Sequence, residues 1–270
     1  MNTILITGAS SGIGRATARY FADQGWHVVA TMRSPEQETE LNQLPRVLVT
    51  RLDVEQPPTI QEAIASGIRQ FGKIDVLLNN AGYAAFGVFE AADPEQMKRQ
   101  FDVNVFGPMY ATQAILPHFR SNGTGTIINV SSIGGRITFP LLTLYHASKW
   151  AVEGFSESLY YELGTQNIKV KVVEPGNVST DFTGRSLDIL SDETLESYRA
   201  YAETVLQKQM DSFQTNVSSP EAIAKAIYDA ATDPSDRLRY LAGEDAHFLM
   251  NLRAGKPDEE FMEIIAANFR

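Results

Sequence analysis

Residues 3–14, TILITGASSGIG, join a short apolar run to a glycine-rich turn and to the first residues of a helical pattern. The apolar run predicts a buried strand over 3–7, and a helical period follows over 13–24. Glycines in such a turn let the backbone approach a pyrophosphate, and the N-terminus of the helix offers N–H groups and a positive dipole end to phosphates. Alone, the pattern is equally consistent with a flexible turn, but its place between strand and helix favours a dinucleotide site. The candidate binding residues in this turn are Gly8, Ser10, Ser11, Gly12, Ile13 and Gly14.

The alternation of apolar runs with helical patterns continues along the chain. Near-continuous apolar runs are expected of strands buried on both faces of a parallel sheet. The predicted strands are 3–7, 27–31, 47–52, 75–78, 126–130, 168–173 and 238–241. The predicted helices are 13–24, 36–43, 58–71, 94–120 and 143–164, with a later one beginning at Ser219-Pro220-Glu221. Repeated βαβ units predict an α/β, doubly wound Rossmann fold, with a seven-stranded parallel sheet flanked by helices in a single domain over 1–270.

Composition narrows the classes of function. The chain has 270 residues and a net charge of −10, which argues against nucleic acid or an anionic membrane as a main partner. It has no cysteine, and its four histidines lack metal-ligand spacing, so no metal site is expected. No apolar run approaches the ~20 residues of a membrane span, and the chain opens on a strand pattern rather than a signal peptide. A soluble, cytoplasmic protein is the expectation.

The ends of the next strands bear on the choice of nucleotide. An NAD site usually has Asp or Glu at the end of the second strand, where this chain has Met32 and Arg33. Arg33 is suited to a 2′-phosphate, which favours NADP over NAD; the alternative is an ordinary surface arginine. Asp53, after the third strand, either accepts from the adenine amino group or caps a turn. Asn80 follows the fourth strand, where an amide can join the nucleotide loop to neighbouring strands.

Tyr145 and Lys149 suggest an acid–base pair. Spaced four apart in a predicted helix, they share a face. A phenol titrates near pH ~10, but an ammonium about 5 Å away at an effective dielectric of about 20 favours the phenolate by about 3 kcal/mol. The pair should therefore have a phenol pKa lowered toward the working range of a general acid–base. Thirteen residues upstream, after an apolar run, lies Ser132, with Ser131 as its competitor.

Taken in order, these motifs resemble those of the classical short-chain dehydrogenase/reductase family, over about residues 1–182 and more weakly over 218–243. Family resemblance implies that Tyr145 is the general acid or base, that Lys149 lowers its pKa and binds the nicotinamide ribose, and that Ser132 holds the substrate oxygen. It also implies that Asn104 positions a water in a proton relay. The nicotinamide would be wrapped by the loop after the sixth strand, through Pro175, Gly176, Val178 and Thr180.

The family pattern also indicates where the substrate binds. An insertion over 182–216 is expected to form a lid, with a helix capped by Ser191 or Asp192 and an apolar stripe that includes Val205 and Leu206. With Phe139, Leu141 and Leu142 it suggests a hydrophobic pocket. The tail over 245–270 is expected to be helical and to cover the cleft or a partner subunit.

Two functions are therefore considered. The first is an NADP(H)-dependent oxidoreductase that interconverts an apolar secondary alcohol and a ketone, closest to the steroid and retinoid dehydrogenases, with Tyr145 as general acid–base. The alternative is a non-catalytic NADP(H)-binding regulatory protein on the same fold, which the complete catalytic set argues against. Family membership also implies a homodimer or homotetramer paired through helices near 104–120 and 143–164.

Overall fold

A computed structural model describes residues 1–180, 186–215 and 217–269. Its main element is a parallel sheet with the strand order β3-β2-β1-β4-β6-β7-β9. The seven strands are β1 (Thr3–Ile6), β2 (His27–Met32), β3 (Val47–Arg51), β4 (Val76–Asn79), β6 (Gly125–Val130), β7 (Ile168–Pro175) and β9 (Arg239–Ala242). The order reverses between β1 and β4, as in a doubly wound sheet. The predicted seven-stranded Rossmann architecture is confirmed.

Helices cover both faces of this sheet. They are α1 (Gly12–Asp23), α2 (Pro57–Phe71), α3 (Pro94–Phe101), α4 (Gly107–Asn122), α5 (Thr143–Gly164), α6 (Arg199–Thr215), α7 (Pro220–Thr232), α8 (Glu244–Arg253) and α9 (Asp258–Asn268). Alternation along β1 assigns the faces: Ile4 and Ile6 pack with Phe21 of α1 and Ile223 of α7, whereas Leu5 packs on the side of α2, α4 and α5. Both faces are therefore buried, which explains the continuous apolar runs in the sequence.

The helix predicted over 36–43 is wrong. The segment forms two short 3₁₀ turns instead, Pro35–Gln37 and Leu41–Gln43. Glu38 between them is buried, and its carboxylate accepts the N–H groups of Glu40 (2.9 Å) and Leu41 (3.0 Å). A side chain that takes these donors offers the backbone an alternative to the helical hydrogen bonds.

The single helix predicted over 94–120 is interrupted. α3 ends at Phe101, a π-helical turn follows over Asp102–Phe106, and α4 begins at Gly107. Pro108 has no N–H to donate to the Asn104 carbonyl, so the regular α-helical pattern cannot continue through this point. Asp93 caps the start of α3 as its sequence context indicates, with a reciprocal bond from Gln96.

A second sheet was not predicted. β5 (Ala84–Gly87) pairs in parallel with β8 (Leu187–Leu190), about a hundred residues later. β8 lies inside the expected lid, whose helix begins at Arg199 after a 3₁₀ turn at Glu196–Tyr198, and not at Ser191 or Asp192. The parts of the 182–216 lid at 182–185 and 216 lie outside the described residues. The tail is helical as expected, divided into α8 and α9.

Candidate active site

The glycine loop (residues 7–14) is held by hydrogen bonds to the loop after β4. Asn80 Nδ2 donates to the carbonyls of Thr7 (2.9 Å) and Gly8 (3.1 Å), and the Thr7 hydroxyl accepts from the Asn80 N–H (2.9 Å). Gly8 and Gly12 have φ of +72° and +52°, which favour glycine. A Cβ on Gly14 would lie 2.6 Å from Asn80 Nδ2 and closer still to the Gly8 carbonyl. The loop thus leaves no room for side chains where a pyrophosphate would approach, which fits a dinucleotide.

Arginine side chains near the end of β2 differ in their surroundings. Arg15 donates from Nε to the Ser10 carbonyl (3.1 Å), and its guanidinium pairs with Glu38 and Glu40. Burial opposes ionisation of Glu38, but backbone N–H bonds and the Arg15 charge outweigh it and hold the pKa of that carboxyl below its usual value. Arg33 is exposed, and no carboxylate pairs with it in the described part of the chain. Of Arg15 and Arg33, the second is the one available to a 2′-phosphate.

Asp53 acts as a turn cap. One carboxylate oxygen accepts the Glu55 N–H at 3.2 Å and the other accepts Gln56 Nε2 at 3.3 Å. Each oxygen keeps a lone pair, so a bond from an adenine amino group is compatible with this arrangement.

Ser132, Tyr145 and Lys149 come together at the carboxyl ends of β6 and β7. Ser132 hydrogen-bonds to the Tyr145 hydroxyl, and its Oγ also accepts the Gly134 N–H at 3.0 Å. Lys149 Nζ lies 5.7 Å from the centre of the Tyr145 ring and donates to the Val130 carbonyl at 2.9 Å. Ser131 has a buried Oγ with no hydrogen-bond partner among the described residues. The geometry therefore separates the two serines, since Ser132 hydrogen-bonds to the phenol and Ser131 does not in the described part of the chain.

The electrostatics of this pair differ from the expectation. Burial raises the pKa of Tyr145, and its hydrogen bond with Ser132 offsets only part of that effect. Burial also lowers the pKa of Lys149 to about 8, against the opposing charge of Glu153. The predicted lowering of the Tyr145 pKa by Lys149 is therefore not seen. The physical reason is that the phenol loses more by leaving water than it gains from an ammonium directed at the Val130 carbonyl.

Asn104 is buried in the π-helical turn with its side chain fully engaged. Its Oδ1 accepts the Tyr83 N–H (3.1 Å), and its Nδ2 donates to the Tyr83 carbonyl (2.9 Å) and the Ser148 hydroxyl (3.2 Å). These bonds tie the segment before β5 to α5, one residue from Lys149. The Asn104 side chain therefore has a structural role, because it holds these segments together.

Residues 175–180 form a loop that reaches the glycine loop. Gly176 donates to the Ala242 carbonyl (3.1 Å), and a Cβ on Gly12 would lie 3.2 Å from Thr180 Cγ2. Val178 pairs with Ser218 in a parallel bridge. Pro175, the last residue of β7, begins the loop, and its carbonyl lies 3.5 Å from the Ser132 hydroxyl.

Asp245 is a residue near the site that the sequence patterns did not indicate. From the first turn of α8 its carboxylate accepts the Asn177 N–H at 2.6 Å, and it fills the space beside Gly176 where a Cβ would overlap it. It thereby braces the 175–180 loop from 68 residues away. No local signal in the sequence indicates this contact.

The lid contributes an apolar wall to the cleft. Val205 of α6 is fully buried and packs with Phe86 of β5 and Leu141, with Leu142 partly buried beside them. Phe139 is an exception, because it packs against the cluster that contains Ile137 and the tail helices. Polar bonds also join the lid to the rest of the site, among them those from Gln209 Nε2 to the Pro140 carbonyl (3.2 Å) and from Asn177 Nδ2 to the Ser212 hydroxyl (3.1 Å).

Within the described residues, no helix is both long and apolar enough to cross a membrane. Over the same residues, no cluster of three or more potential ligands could hold a metal ion.

A family model described as short chain dehydrogenase matches residues 2–190. An uncharacterised oxidoreductase of Schizosaccharomyces pombe is 41% identical over 234 residues, which cover 86% of this chain and 96% of the relative. A 3-ketodihydrosphingosine reductase of Bacteroides thetaiotaomicron is 37% identical over 227 residues, covering 83% and 81%.

Solved structures of short-chain dehydrogenases and of ElxO are also similar to this chain. A short-chain dehydrogenase from Streptomyces avermitilis superposes with a TM-score of 0.81 and 34% identity, over 94% of this chain and 93% of that one. The NADP-bound structure of ElxO has a TM-score of 0.73 and 27% identity, over 89% and 97%.

Proposed function

The chain belongs to the short-chain dehydrogenase/reductase family of CH–OH oxidoreductases, and on that premise we propose that it transfers hydride between NADP(H) and an apolar secondary alcohol or ketone. The observation that carries the proposal is the Ser132–Tyr145 hydrogen bond, beside Lys149 and at the same sheet edge as the glycine loop. A nicotinamide cofactor supplies or accepts the hydride at the substrate carbon. The rest of the chemistry concerns the substrate oxygen and its proton.

Tyr145 and Ser132 act on the substrate oxygen. In the direction of reduction, the carbonyl oxygen gains negative charge as hydride reaches the carbon, and the two hydroxyls stabilise it. Tyr145 then gives its proton to that oxygen and becomes a phenolate, which the Lys149 ammonium stabilises. Because burial raises the pKa of Tyr145, the phenol holds its proton at neutral pH and is a competent donor. In the direction of oxidation the same proton returns to Tyr145 from the alcohol.

The cofactor would be held by both loops. The backbone of residues 8–14 and the N-terminus of α1 suit the pyrophosphate. Asp53 and Asn80 flank the adenosine side, whereas Pro175, Gly176, Val178 and Thr180 lie where the nicotinamide would be wrapped. A preference for NADP rests on Arg33, which is exposed and unpaired by carboxylates in the described ranges, while Arg15 is held by Glu38 and Glu40. The NADP-bound ElxO structure is consistent with this preference.

Proton resupply would use Asn104 through its backbone. Its side chain is already committed to Tyr83 and Ser148, but Pro108 gives its carbonyl no α-helical N–H. A water held at that carbonyl could pass a proton toward Lys149, which is the relay role that the family pattern implies.

The substrate would carry its ketone on an apolar body. The wall formed by Phe86, Leu141 and Val205 has no charged member, and desolvating it favours alkyl groups. The similarity to a 3-ketodihydrosphingosine reductase supports a ketone on a long alkyl chain. We further propose that copies of the chain pair through α4, the π-helical turn before it, and α5, which together expose Phe106, Tyr110, Trp150 and Tyr161. A monomeric mass by light scattering would contradict this pairing.

The two adjacent serines provide the test. We expect the wild-type protein to oxidise NADPH with long-chain 3-keto compounds, and Ser132→Ala to lower kcat by about 100-fold, the usual cost of losing one donor to a developing oxyanion. Ser131→Ala is the matched control, because it removes the same atom from a hydroxyl with no partner among the described residues. It should keep kcat within about 3-fold of wild type. Equal losses in both variants, or no NADPH oxidation with any ketone, would contradict the proposal.

A further inference from the structure

Beneath the catalytic residues lies a row of charges that the reaction scheme does not use. Arg136 Nη1 contacts Glu174 Oε1 at 3.1 Å, and Arg239 Nε lies 3.5 Å from the same oxygen. Arg239 Nε also contacts Glu153 Oε2 at 3.0 Å, and the Glu153 charge acts on Lys149. The five charges alternate in sign along the row, which begins at Arg136 and ends at the Lys149 ammonium.

The row is buried at its acidic members and at Lys149. Glu174 is 1% exposed, Glu153 is 5% and Lys149 is 8%. Buried charges are costly unless they are paired, so each carboxylate here depends on its arginine. Glu153 Oε1 is buried and accepts no hydrogen bond from a described residue. Glu153 therefore keeps an unused carboxyl oxygen on the side of α5 that carries Lys149.

Apart from Arg239, which lies in β9, the members of the row belong to segments that carry part of the active site. Glu153 follows Lys149 by one helical turn, so the two share a face of α5. Arg136 follows the turn that begins at Ser132, and Glu174 directly precedes Pro175. Close packing leaves little freedom: a Cβ on Gly135 would lie 2.7 Å from Ser131 Oγ and 2.9 Å from Glu153 Cγ. The turn after Ser132 therefore packs directly against Glu153 and the Lys149 backbone.

We propose that Glu153 is a positioning residue that keeps Lys149 charged and directed at the acid–base site, and that Arg239, itself paired with Glu174, holds Glu153 in place. This inference deepens the proposed function and rests on it, because Lys149 must stabilise the Tyr145 phenolate for the charge to matter. Burial favours the neutral amine of Lys149, and the Glu153 carboxylate opposes that loss of charge. Besides Lys149, the charged groups facing Glu153 are Arg239 and Glu174, with Glu157 on the exposed side of Arg239.

The test compares Glu153→Gln with Glu157→Gln in the full-length protein. Both remove a carboxylate that contacts Arg239, but Glu157 is 48% exposed at its side chain and Glu153 only 6%. In Glu153→Gln the fall of kcat at alkaline pH should begin about one pH unit lower than in wild type, with nearly equal kcat at pH ~6. Glu157→Gln should give the wild-type profile, and Glu153→Asp, which keeps the charge, should recover most of the shift. A merely structural role would lower kcat at every pH without moving the profile, and that result would overturn the proposal.

A second measurement does not need turnover. In protein labelled with ¹³C at the lysine Cε, the Lys149 signal, assigned by its loss in Lys149→Arg, should titrate at lower pH in Glu153→Gln than in wild type. An unchanged titration would overturn the inference even if ketones are reduced, in which case the proposed function stands. A lowered titration in a protein that reduces no ketone would support the inference about Lys149 and contradict the proposed function.

Discussion

The glycine loop (residues 7–14) and the lid helix α6 both adjoin the 175–180 loop, yet different contacts hold them. The glycine loop is fixed by three bonds between Asn80 and the backbone or hydroxyl of residues 7 and 8, and it has no spare volume at Gly14. α6 is anchored by Val205, by the bond that Gln209 donates to Pro140 and by the bond that Ser212 accepts from Asn177, while Leu206 and Met210 are exposed at 46% and 52%. Hydrogen bonds hold the glycine loop in place, whereas apolar contact holds most of α6.

The two kinds of contact differ in how many sequences they tolerate. A hydrogen-bonded loop admits few sequences, because each donor must meet its acceptor at fixed geometry. An apolar wall accepts many side chains of similar volume at small cost. In the proposed function, the first kind of contact shapes the cofactor site and the second shapes the site for the substrate body.

The largest expected effect tests the volume limit of the glycine loop. In Gly14→Ala, the Cβ overlaps the Gly8 carbonyl and Asn80 Nδ2, so the loop must move. Overpacking of this kind costs about 3 kcal/mol at its upper range, and we expect the Kd for NADPH to rise about 100-fold. The Kd for NADPH is measured by isothermal titration calorimetry. Gly164→Ala is the control, since nothing lies within 4 Å of its added Cβ and its Kd should be unchanged. An equal Kd for NADPH in Gly14→Ala and Gly164→Ala would contradict the claim that the glycine loop has no spare volume.

The next prediction concerns the choice of cofactor. Arg33→Asp removes the exposed cation and adds a repelling charge, so the Kd for NADPH should rise about 10- to 150-fold, as for the loss of a charged hydrogen bond. The Kd for NADH should rise little. Arg19→Asp makes the same change of charge at an arginine paired with Glu40 and should leave the NADPH-to-NADH ratio unaltered. If both variants change the ratio alike, the effect is one of net charge and Arg33 does not bind the 2′-phosphate.

A smaller effect is expected from the lid. Val205→Ala removes apolar contact with Phe86 and Leu141 at about 0.8 kcal/mol per CH₂, so the KM for a long-chain ketone should rise about 3- to 10-fold. The Kd for NADPH should stay within about 2-fold of wild type. Leu206→Ala, one position along on the exposed side of α6, is the control and should change neither quantity. A weaker NADPH affinity in Val205→Ala would show that the lid also holds the cofactor.

The last prediction concerns stability, that is, how the free energy of unfolding changes with pH. Burial and the Glu153 charge raise the pKa of Glu174 to about 7, above its unfolded value of 4.5. A carboxyl whose folded pKa is raised loses stabilisation as pH rises from the unfolded value through the folded one. Wild type should therefore lose stability relative to Glu174→Gln between pH ~4.5 and pH ~7, by up to about 3 kcal/mol, at about 1.4 kcal/mol per unit of pKa difference. Calorimetric scans across this window that give parallel curves would contradict the assignment.

Local patterns predicted most of the cofactor side and little of the lid. The apolar runs located all seven strands of the main sheet, and the family resemblance favoured Ser132 over Ser131 by its spacing to Tyr145; the Ser132 hydroxyl does contact the phenol. The pairing of β5 with β8, the bond from Asp245 to Asn177 and the charge row through Arg239 join residues far apart in sequence. No spacing rule indicates them. The helix expected over 36–43 failed because the buried Glu38 carboxylate takes the backbone donors.

The sign of the Tyr145 shift was also beyond local reasoning. Spacing placed an ammonium near the phenol, but the depth of burial, which decides the direction of the pKa, depends on the whole fold.

The most direct test of the central account is Tyr145→Phe, which removes one hydroxyl and keeps the ring beside Lys149. We expect kcat for ketone reduction to fall by about 10³-fold, within the usual range for loss of a general acid, because no other proton donor contacts the substrate oxygen in the proposed arrangement except Ser132. The Kd for NADPH, measured in the same preparation, should stay within about 3-fold of wild type, since the glycine loop is untouched. Undiminished turnover in Tyr145→Phe would contradict the assignment of Tyr145 as the acid–base.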